Sequence, residues 1–153
     1  MGQRTVRTAR PDDYEWIIRV ADAWWGRPIA HNLPRLFLDH FHSTSFVVDH
    51  DGEPVGFLVG FLSPSQPHVG YVHFIGVHPD HRRGGTANDL YERFSTLAGA
   101  AGCTAVRAIT GAINEGSIAF HRRIGFTVSE PIDGYHGPGT RLVTFTRPVS
   151  PAT

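Results

Sequence analysis

Residues 78–90, HPDHRRGGTANDL, combine charged side chains and glycines in a pattern that suits the binding of a small anion. Arg82 and Arg83 carry positive charge, while Gly84 and Gly85 let the main chain approach a ligand closely. An ordinary surface turn needs only one glycine. The segment therefore predicts main-chain N–H groups arranged around an anion, with a basic, glycine-rich surface turn as the plainer alternative.

The position of this segment between two elements favours the anion site. The apolar run before it predicts a strand that ends near Val77, and helical spacing begins near Thr86. The first turn of a helix has N–H groups without intrahelical partners, and its dipole favours negative charge. Ala87 is small and Asn88 is polar, so neither residue blocks this turn. A diphosphate is the group that we expect to bind there.

Two other residue types with reactive side chains give weaker signals. The chain has one cysteine, Cys103, whose segment GCTAV enters an apolar run, so we expect a buried thiol rather than a nucleophile. The histidine pairs at residues 40–42 (HFH) and 78–81 (HPDH) have the spacing of metal ligands. No cysteine or carboxylate cluster completes either pair, so we predict no metal site.

The elements that would position these residues form a mixed α/β pattern in one domain, residues 1–153. A strand (TVRTAR), a helix (PDDYEWIIRVADAWW) and a short helix (RLFLDHF) come first. A hairpin with a DG turn (SFVVDHDGEPVGFLVGFL) and the strand HVGYVHFIGV follow. A helix from Thr86 to Gly102, the strand TAVRAIT, a helix in NEGSIAFHRRIGF and the strands TVSE and RLVTFT complete the order. We expect residues 148–153 to be a frayed tail.

Two motifs on this framework resemble the signatures of the GNAT acetyltransferase superfamily. VHPDHRRGGTA (residues 77–87) resembles its coenzyme A signature. NEGSIAFHRRIGF (residues 114–126) resembles its second signature, and YHGPGTRLVTF resembles its closing hairpin. The resemblance, over residues 4–147, implies the GNAT fold. This fold is a mostly antiparallel sheet of about six to seven strands, splayed between the fourth and fifth and flanked by about four helices.

The resemblance also implies that acetyl-CoA is the cofactor. Main-chain N–H groups of residues 83–88 would hold its diphosphate, with Arg82 ordering the loop or meeting phosphate. Residues 75–77 would pair with the pantetheine arm, and Asn114 and Ser117 would reach the cofactor's amides or sulfur. The residues expected to contact the cofactor are Ile75, Gly76, Val77, Arg82, Arg83, Gly84, Gly85, Thr86, Ala87, Asn88, Asn114, Ser117 and His121.

Acetyl transfer to an amine needs a base, because alkyl amines are largely protonated near neutral pH. His73 stands where several members of the family carry a glutamate base, and strand alternation would put it on one face with Tyr71, Ile75 and Val77. The alternative is a hydrogen-bonded core histidine, and Tyr71 is the next candidate base. His121 occupies the usual position of the family's tyrosine acid. It would either protonate the leaving thiolate or only fill that position by packing.

The resemblance places the acceptor pocket at the first two helices and the closing loop. Trp24, Trp25, Phe37 and Tyr135 would form an aromatic wall there, and His136 would face the acceptor. Alternatively, both tryptophans belong to the core of an amphipathic helix. The sequence has no acid-rich cluster for a polycation, which favours a small or weakly charged amine.

Composition limits the partners. Lys+Arg and Asp+Glu both number 14, and this balance argues against a nucleic acid partner. No apolar run is long enough to span a bilayer, and no hydrophobic segment follows the N-terminal arginines. With its single cysteine, the chain is expected to be cytoplasmic, without a membrane partner. Dimers are common in the family, so a homodimer stays open.

The sequence thus predicts an acetyl-CoA-dependent N-acetyltransferase that acts on a primary amine of a small molecule or peptide by direct attack in a ternary complex. One alternative is a non-catalytic acyl-CoA-binding or sensor module, which the histidine at position 121 keeps open. Another is an acyltransferase for a different acyl group or acceptor. A toxin that acetylates aminoacyl-tRNA fits the fold but not the neutral charge.

Overall fold

The computed structural model describes residues 2–152 of the chain. Its strands are β1 (Arg4–Thr8), β2 (Phe46–His50), β3 (Glu53–Leu62), β4 (Val69–Val77), β5 (Ala105–Gly111), β6 (Thr127–Val128), β7 (Ile132–Asp133) and β8 (Arg141–Pro148). They form one sheet in the order β1-β2-β3-β4-β5-β8-β6, with β7 pairing on β8. The pairing is antiparallel except between β4 and β5, which run parallel.

The α-helices of the described residues are α1 (Asp13–Trp25), α2 (Leu36–Phe41), α3 (Thr86–Ala100) and α4 (Glu115–Arg123). The predicted fold class is confirmed, including four helices and a mostly antiparallel sheet. The sheet has eight strands rather than six to seven because β6 and β7 are two-residue strands that pair with β8. In residues 2–152, no helix combines the length and apolar character needed to cross a membrane.

Apolar side chains fill both faces of the sheet. On one face, Tyr91 and Phe94 of α3 pack against the sheet in a cluster that α4 extends. On the other face, α1 and α2 pack over β2 and β3 around Phe57. Phe94 fits closely because Gly60 of β3 has no side chain: a Cβ there would lie 2.6 Å from the Phe94 ring. The sheet is therefore a middle layer between two pairs of helices.

The strands β4 and β5 pair over only three residues. Val69, Gly70 and Tyr71 lie opposite residues 105–107, and beyond them the two strands separate. Each strand keeps its other neighbour, since β4 pairs with β3 up to its end and β5 pairs with β8 over its whole length. The predicted splay between the fourth and fifth strands is thus present.

The side chains of β4 do not alternate as predicted, because the strand contains a β-bulge. Opposite β3 the register shifts so that His73 has no partner of its own. His73 stacks on Phe37 of α2, whereas Ile75 packs into the cluster under α3. Val77 lies opposite Gly56, where a Cβ would meet side chains of α3. His73 therefore does not share a face with Ile75 and Val77, because one extra residue reverses the alternation.

The C-terminal tail, which the sequence predicts to be frayed, makes contacts with the end of α3. The Val149 N–H donates to the Thr104 carbonyl and the Ala152 N–H to the Gly99 carbonyl, each at 2.8 Å. A Cβ on Gly99 would lie 2.6 Å from the Ser150 carbonyl oxygen. Glycine at this position lets the tail cross the helix closely; Thr153 lies outside the described residues.

The start of α1 is fixed to the sheet by Asp13, which is 3% exposed. Its carboxylate accepts two hydrogen bonds from the Arg7 guanidinium of β1, at 2.9 and 3.0 Å. It also accepts the Arg10 N–H at 2.7 Å and the Trp16 indole N–H at 2.8 Å. Burial alone raises the pKa of Asp13, but these hydrogen bonds outweigh it and hold the pKa below its usual value.

We expect Asp13→Asn to lower the free energy of unfolding by about 3 kcal/mol, because it leaves a partly buried arginine without its main counterion. The exposed neighbour Asp12 is 3.7 Å from Arg10, and Asp12→Asn should cost less than about 0.5 kcal/mol. Urea unfolding at neutral pH measures both changes. Equal losses in the two variants would contradict this role of Asp13.

The same carboxylate predicts a pH dependence. Its pKa is lower in the folded chain than in the unfolded chain, so its contribution is complete above the unfolded value of about 4. The contribution is lost as the pH falls through the lower folded pKa. The stability difference between the wild type and Asp13→Asn should therefore shrink below pH 4.

Candidate functional site

The glycine-rich loop turns directly into α3. Gly85 is the residue before the helix and has a left-handed φ of 82°. Within residues 2–152, no main-chain or side-chain group accepts a hydrogen bond from the N–H groups of residues 83–88. A Cβ on Gly85 would meet no atom within 4 Å, so the turn faces open space. These amides are free to bind an anion from outside the protein.

Arg4 of β1 supports the outer side of this loop, and no sequence signal pointed to it. Its guanidinium donates to the Gly84 carbonyl at 2.7 Å, to the Thr86 hydroxyl at 3.2 Å and to the Asp89 carboxylate at 2.7 Å. A cavity of about 610 Å³ lies beside these contacts, and the exposed Arg83 also lines it. Arg4 thus fixes the loop, while the main-chain amides of residues 83–88 stay free.

Arg82 turns toward the protein. Its Nε donates to the Val77 carbonyl at 3.2 Å, and its Nη2 donates to the Trp24 carbonyl at the end of α1. Of the two roles considered from the sequence, this geometry favours ordering of the loop over direct contact with phosphate. Both arginines are exposed, but only Arg83 of the pair lines the cavity beside the loop.

Residues 75–77 of β4 lie along the gap that opens toward β5. On the far side of the gap, Asn114 caps α4: its Oδ1 accepts the Ser117 N–H at 3.4 Å. The Asn114 Nδ2 donates to the Thr110 hydroxyl of β5 at 3.1 Å. The side-chain amide of Asn114 is therefore engaged in fixing the start of α4. Of the two residues, half-buried Ser117 is the stronger candidate for a cofactor contact.

His121 lies in the core and is 4% exposed. Its Nδ1 is 2.7 Å from the Ser117 carbonyl and its Nε2 is 2.7 Å from the Tyr91 hydroxyl, while the ring stacks on Phe145 at 3.9 Å. A carbonyl only accepts, so Nδ1 carries the proton and Nε2 accepts from Tyr91. Burial lowers the pKa of His121, so the ring is neutral and both nitrogens are used. This geometry favours packing over proton transfer.

His73 is held in a different way, at the bulge of β4. Its Nε2 is 2.8 Å from the Asn32 carbonyl, so Nε2 carries the proton and Nδ1 keeps a lone pair. Its ring lies flat against Phe37, with 4.0 Å between centroids. Burial lowers the pKa of His73 below its usual value of 6.5. A neutral imidazole oriented by a carbonyl has the properties of a general base.

Tyr71 lies where β4 and β5 begin to separate. Burial, with a contribution from nearby Tyr135, raises the pKa of Tyr71 to about 12. The phenol is therefore protonated near neutral pH, so it is a hydrogen-bond donor and a poor base. Tyr135 is 65% exposed, and the His136 ring packs edge-on to it at 5.0 Å.

The two tryptophans do not form one wall. Trp24 is 7% exposed and packs between Trp16 and Phe57, which leaves it little surface for an acceptor. Trp25 is half-buried and covers β4, since a Cβ on Gly76 would lie 2.5 Å from the Trp25 ring. Helical periodicity could not distinguish buried Trp24 from half-buried Trp25, because both residues lie on the apolar side of α1.

Residues 2–152 offer neither a metal-ligand cluster nor an exposed thiol as an alternative to this site. The part of the chain that the structure describes contains no group of three or more histidine, cysteine or carboxylate side chains that could hold a metal ion. Cys103 is buried, and burial raises the pKa of its thiol.

Sequence comparison adds relatives to this geometry. A sequence profile of the Acetyltransferase (GNAT) family matches residues 9–126. An acetyltransferase of Sodalis glossinidius (strain morsitans) is 26% identical over 132 residues, which cover 83% of this chain and 89% of that protein. An L-2,4-diaminobutyric acid acetyltransferase of Nocardia farcinica is 32% identical over 84 residues, 55% of this chain and 44% of that protein.

Solved structures share the fold over nearly the whole chain. Ard1 from Thermoplasma volcanium has a TM-score of 0.78 at 22% identity, covering 95% of this chain and 97% of that chain. The yncA protein of Salmonella typhimurium, solved with its cofactor acetyl-CoA, has a TM-score of 0.74 at 18% identity, covering 98% and 96%. At sequence identities of 22% and 18%, the similarity to these two structures shows the fold alone.

Proposed function

Since the chain belongs to the Acetyltransferase (GNAT) family, we propose that it transfers an acetyl group from acetyl-CoA to a primary amine of a small molecule or peptide. The membership confirms the resemblance carried by the two sequence motifs. The amine attacks directly in a ternary complex, without a covalent enzyme intermediate. The observation that carries the proposal is the turn of free amides at residues 83–88, placed at the mouth of the gap between β4 and β5.

The residues around the gap fit acetyl-CoA by their chemistry. The free amides of residues 83–88, the start of the α3 dipole and Arg83 suit a diphosphate, while Arg82 and Arg4 hold the loop. Main-chain groups of residues 75–77 suit the amides of a pantetheine arm. When bound, acetyl-CoA supplies a thioester whose thiolate is a tolerable leaving group, with a pKa of about 8.5. A protein of the same fold solved with acetyl-CoA supports this choice.

In this proposal His73 is the general base. Its Nδ1 lone pair accepts a proton from the acceptor ammonium, directly or through one water, while the Asn32 carbonyl fixes the ring. The amine nitrogen would then bond to the acetyl carbon as the carbon–sulfur bond breaks, and the second amine proton would pass to the thiolate, directly or through the Tyr71 phenol. The Tyr71 phenol donates a hydrogen bond to the developing negative charge or a proton to the thiolate.

His121 has a supporting role in the proposal. Through its contacts with Tyr91 and Ser117 it joins α3, which follows the loop, to α4, which borders the gap. Trp25, Tyr135 and His136 are the proposed surroundings of the acceptor, and Trp24 is proposed to serve the core beneath them.

Replacing Gly85 by glutamate tests the cofactor site. Gly85→Glu adds a carboxylate beside the free amides, so the affinity for acetyl-CoA should fall at least about 30-fold. Gly102→Glu is the matched control, because Gly102 also has a left-handed φ, 91°, with open space around it, at the other end of α3. Both variants should lose a similar stability of about 1–2 kcal/mol.

Titration calorimetry with acetyl-CoA measures the affinities, and thermal unfolding measures the stabilities. Equal affinity in the two variants would exclude the loop as the cofactor site. Tight binding of acetyl-CoA without acetylation of any amine, amino acid or peptide in a broad panel would favour the sensor alternative over the enzyme.

Replacing His73 by alanine tests the base. We expect kcat to fall about 100-fold or more while acetyl-CoA affinity is unchanged, because the side chain acts only on the amine. His40→Ala, at an exposed position of α2, should leave both quantities unchanged.

The pH profile separates the base from a merely structural residue. The wild-type rate should fall as the pH drops through the lowered pKa of His73, below 6.5, since protonation removes the Nδ1 lone pair. His73→Ala should lack this limb. An unchanged rate, or the same acid limb in the variant, would rule His73 out as the base.

A further inference from the structure

Three arginines of the described chain are half-buried, and one of them has no counterion. Arg7 pairs with Asp13 at 2.9 Å, and Arg147 pairs with Glu92 at 3.2 Å. Arg107 of β5 makes no ion pair and no side-chain hydrogen bond with any residue between positions 2 and 152. Partial removal of a cation from water without compensation costs free energy, which points to an anionic partner outside the protein.

Arg107 lies at the vertex of the gap. It is opposite Tyr71 in the last paired position before β4 and β5 separate. On the next strands, Thr146 of β8 lies opposite Arg107, and Thr127 of β6 lies opposite Thr146. Neighbouring strands are about 4.8 Å apart, so these four residues form one row across the sheet, with a guanidinium and hydroxyl groups as its polar atoms.

The row lies on the face of the sheet that carries α1 and α2. Val106 and Ala108, on either side of Arg107, belong to the cluster under α3, so the Arg107 side chain points to the opposite face. Tyr71 packs against Phe61 on that opposite face, which is also the face of His73. Arg107, Tyr71 and the proposed base are therefore on the same side of the gap.

The charges around Arg107 favour a carboxylate. Its row contains no acidic residue, and the neighbouring Tyr71 phenol stays protonated, so it adds no negative charge beside Arg107. Tyr135, from the loop before β8, adds a second phenol near Tyr71. A planar guanidinium with adjacent hydroxyl donors matches a carboxylate and repels a second cation.

We propose that Arg107 binds a carboxylate of the acceptor, so that the enzyme acetylates an amine that also carries a carboxylate, as an amino acid does. The inference rests on the proposed function, because only the acyl transfer places the acceptor amine near His73. Tyr71 lies opposite Arg107, and His73 is two positions further along β4, so the main chains of Arg107 and His73 are about 8 Å apart. That spacing suits an amine and a carboxylate separated by a few bonds.

Matched acceptors test the inference. Acetylation of each L-amino acid is compared with acetylation of its carboxamide, by release of the coenzyme A thiol. The wild type should prefer the acid by at least about tenfold in kcat/KM. Arg107→Gln should remove this preference and keep the affinity for acetyl-CoA, and Arg107→Lys should restore part of it. Arg122→Gln, at an exposed position of α4, is the control and should keep the preference.

A comparison of free amino acids with peptides that have a free C-terminus shows which kind of acceptor supplies the carboxylate. Preference for such peptides over free amino acids, again dependent on Arg107, supports the contact and assigns it to a peptide terminus. If neither acids nor amides turn over, binding of N-acetyl amino acids is compared with that of their amides in the presence of coenzyme A. Stronger binding of the acids, lost in Arg107→Gln, supports the inference.

Three results overturn it: no preference for acids in the wild type, an unchanged preference in Arg107→Gln, or loss of acetyl-CoA affinity in that variant. If no acceptor turns over, equal binding of the N-acetyl amino acids and of their amides also overturns the inference. A wild-type chain that fails to bind acetyl-CoA overturns the proposed function itself and this inference with it. That result can be distinguished from the others because the measurement of acetyl-CoA binding requires no acceptor.

Discussion

After three paired residues β4 and β5 separate, and each strand is held by its other neighbour in the sheet. Because β5 pairs with β8 over residues 105–111, it cannot follow β4 as that strand diverges. Main-chain groups that face the gap therefore lack a strand partner, and unpaired main-chain groups bond to water or to a ligand. The free amides before α3 stand at one end of this gap, and Tyr71 and Arg107 stand at the other. A ligand with an anionic group and an amide-containing arm matches the free amides before α3 and the unpaired main-chain groups along the gap.

Polar side chains at the rim of the gap mainly hold the protein together. Arg82 joins the loop to α1, and Arg4 joins it to β1. Asn114 joins β5 to α4, and the Tyr91–His121 pair joins α3 to α4. In the proposed function, recognition of the cofactor therefore falls mainly to main-chain groups, with Arg83 beside them. The residues proposed for the chemistry lie on the face of the sheet that carries α1 and α2, around His73.

The sequence could predict features that depend on local pattern. The two glycines between a strand and a helix, and the DG turn of the hairpin, appear where expected. The bulge at His73 could not be predicted, because it depends on the register with β3, and β4 is apolar on both faces. The contact of Arg4 with Gly84 joins residues 80 positions apart and has no local signal. Arg107 did leave a signal, a lone cation in an otherwise uncharged strand, but its lack of a counterion is a property of the tertiary structure.

The account depends most on coenzyme A lying along β4 with its diphosphate at the start of α3. A backbone ¹⁵N NMR titration of the protein with coenzyme A tests this directly. The largest amide shifts should fall in residues 83–88 and in β4 beyond Tyr71, with little change in β1 and β2 away from the loop. Saturating coenzyme A that leaves residues 83–88 unchanged, or shifts only amides remote from the gap, would contradict it.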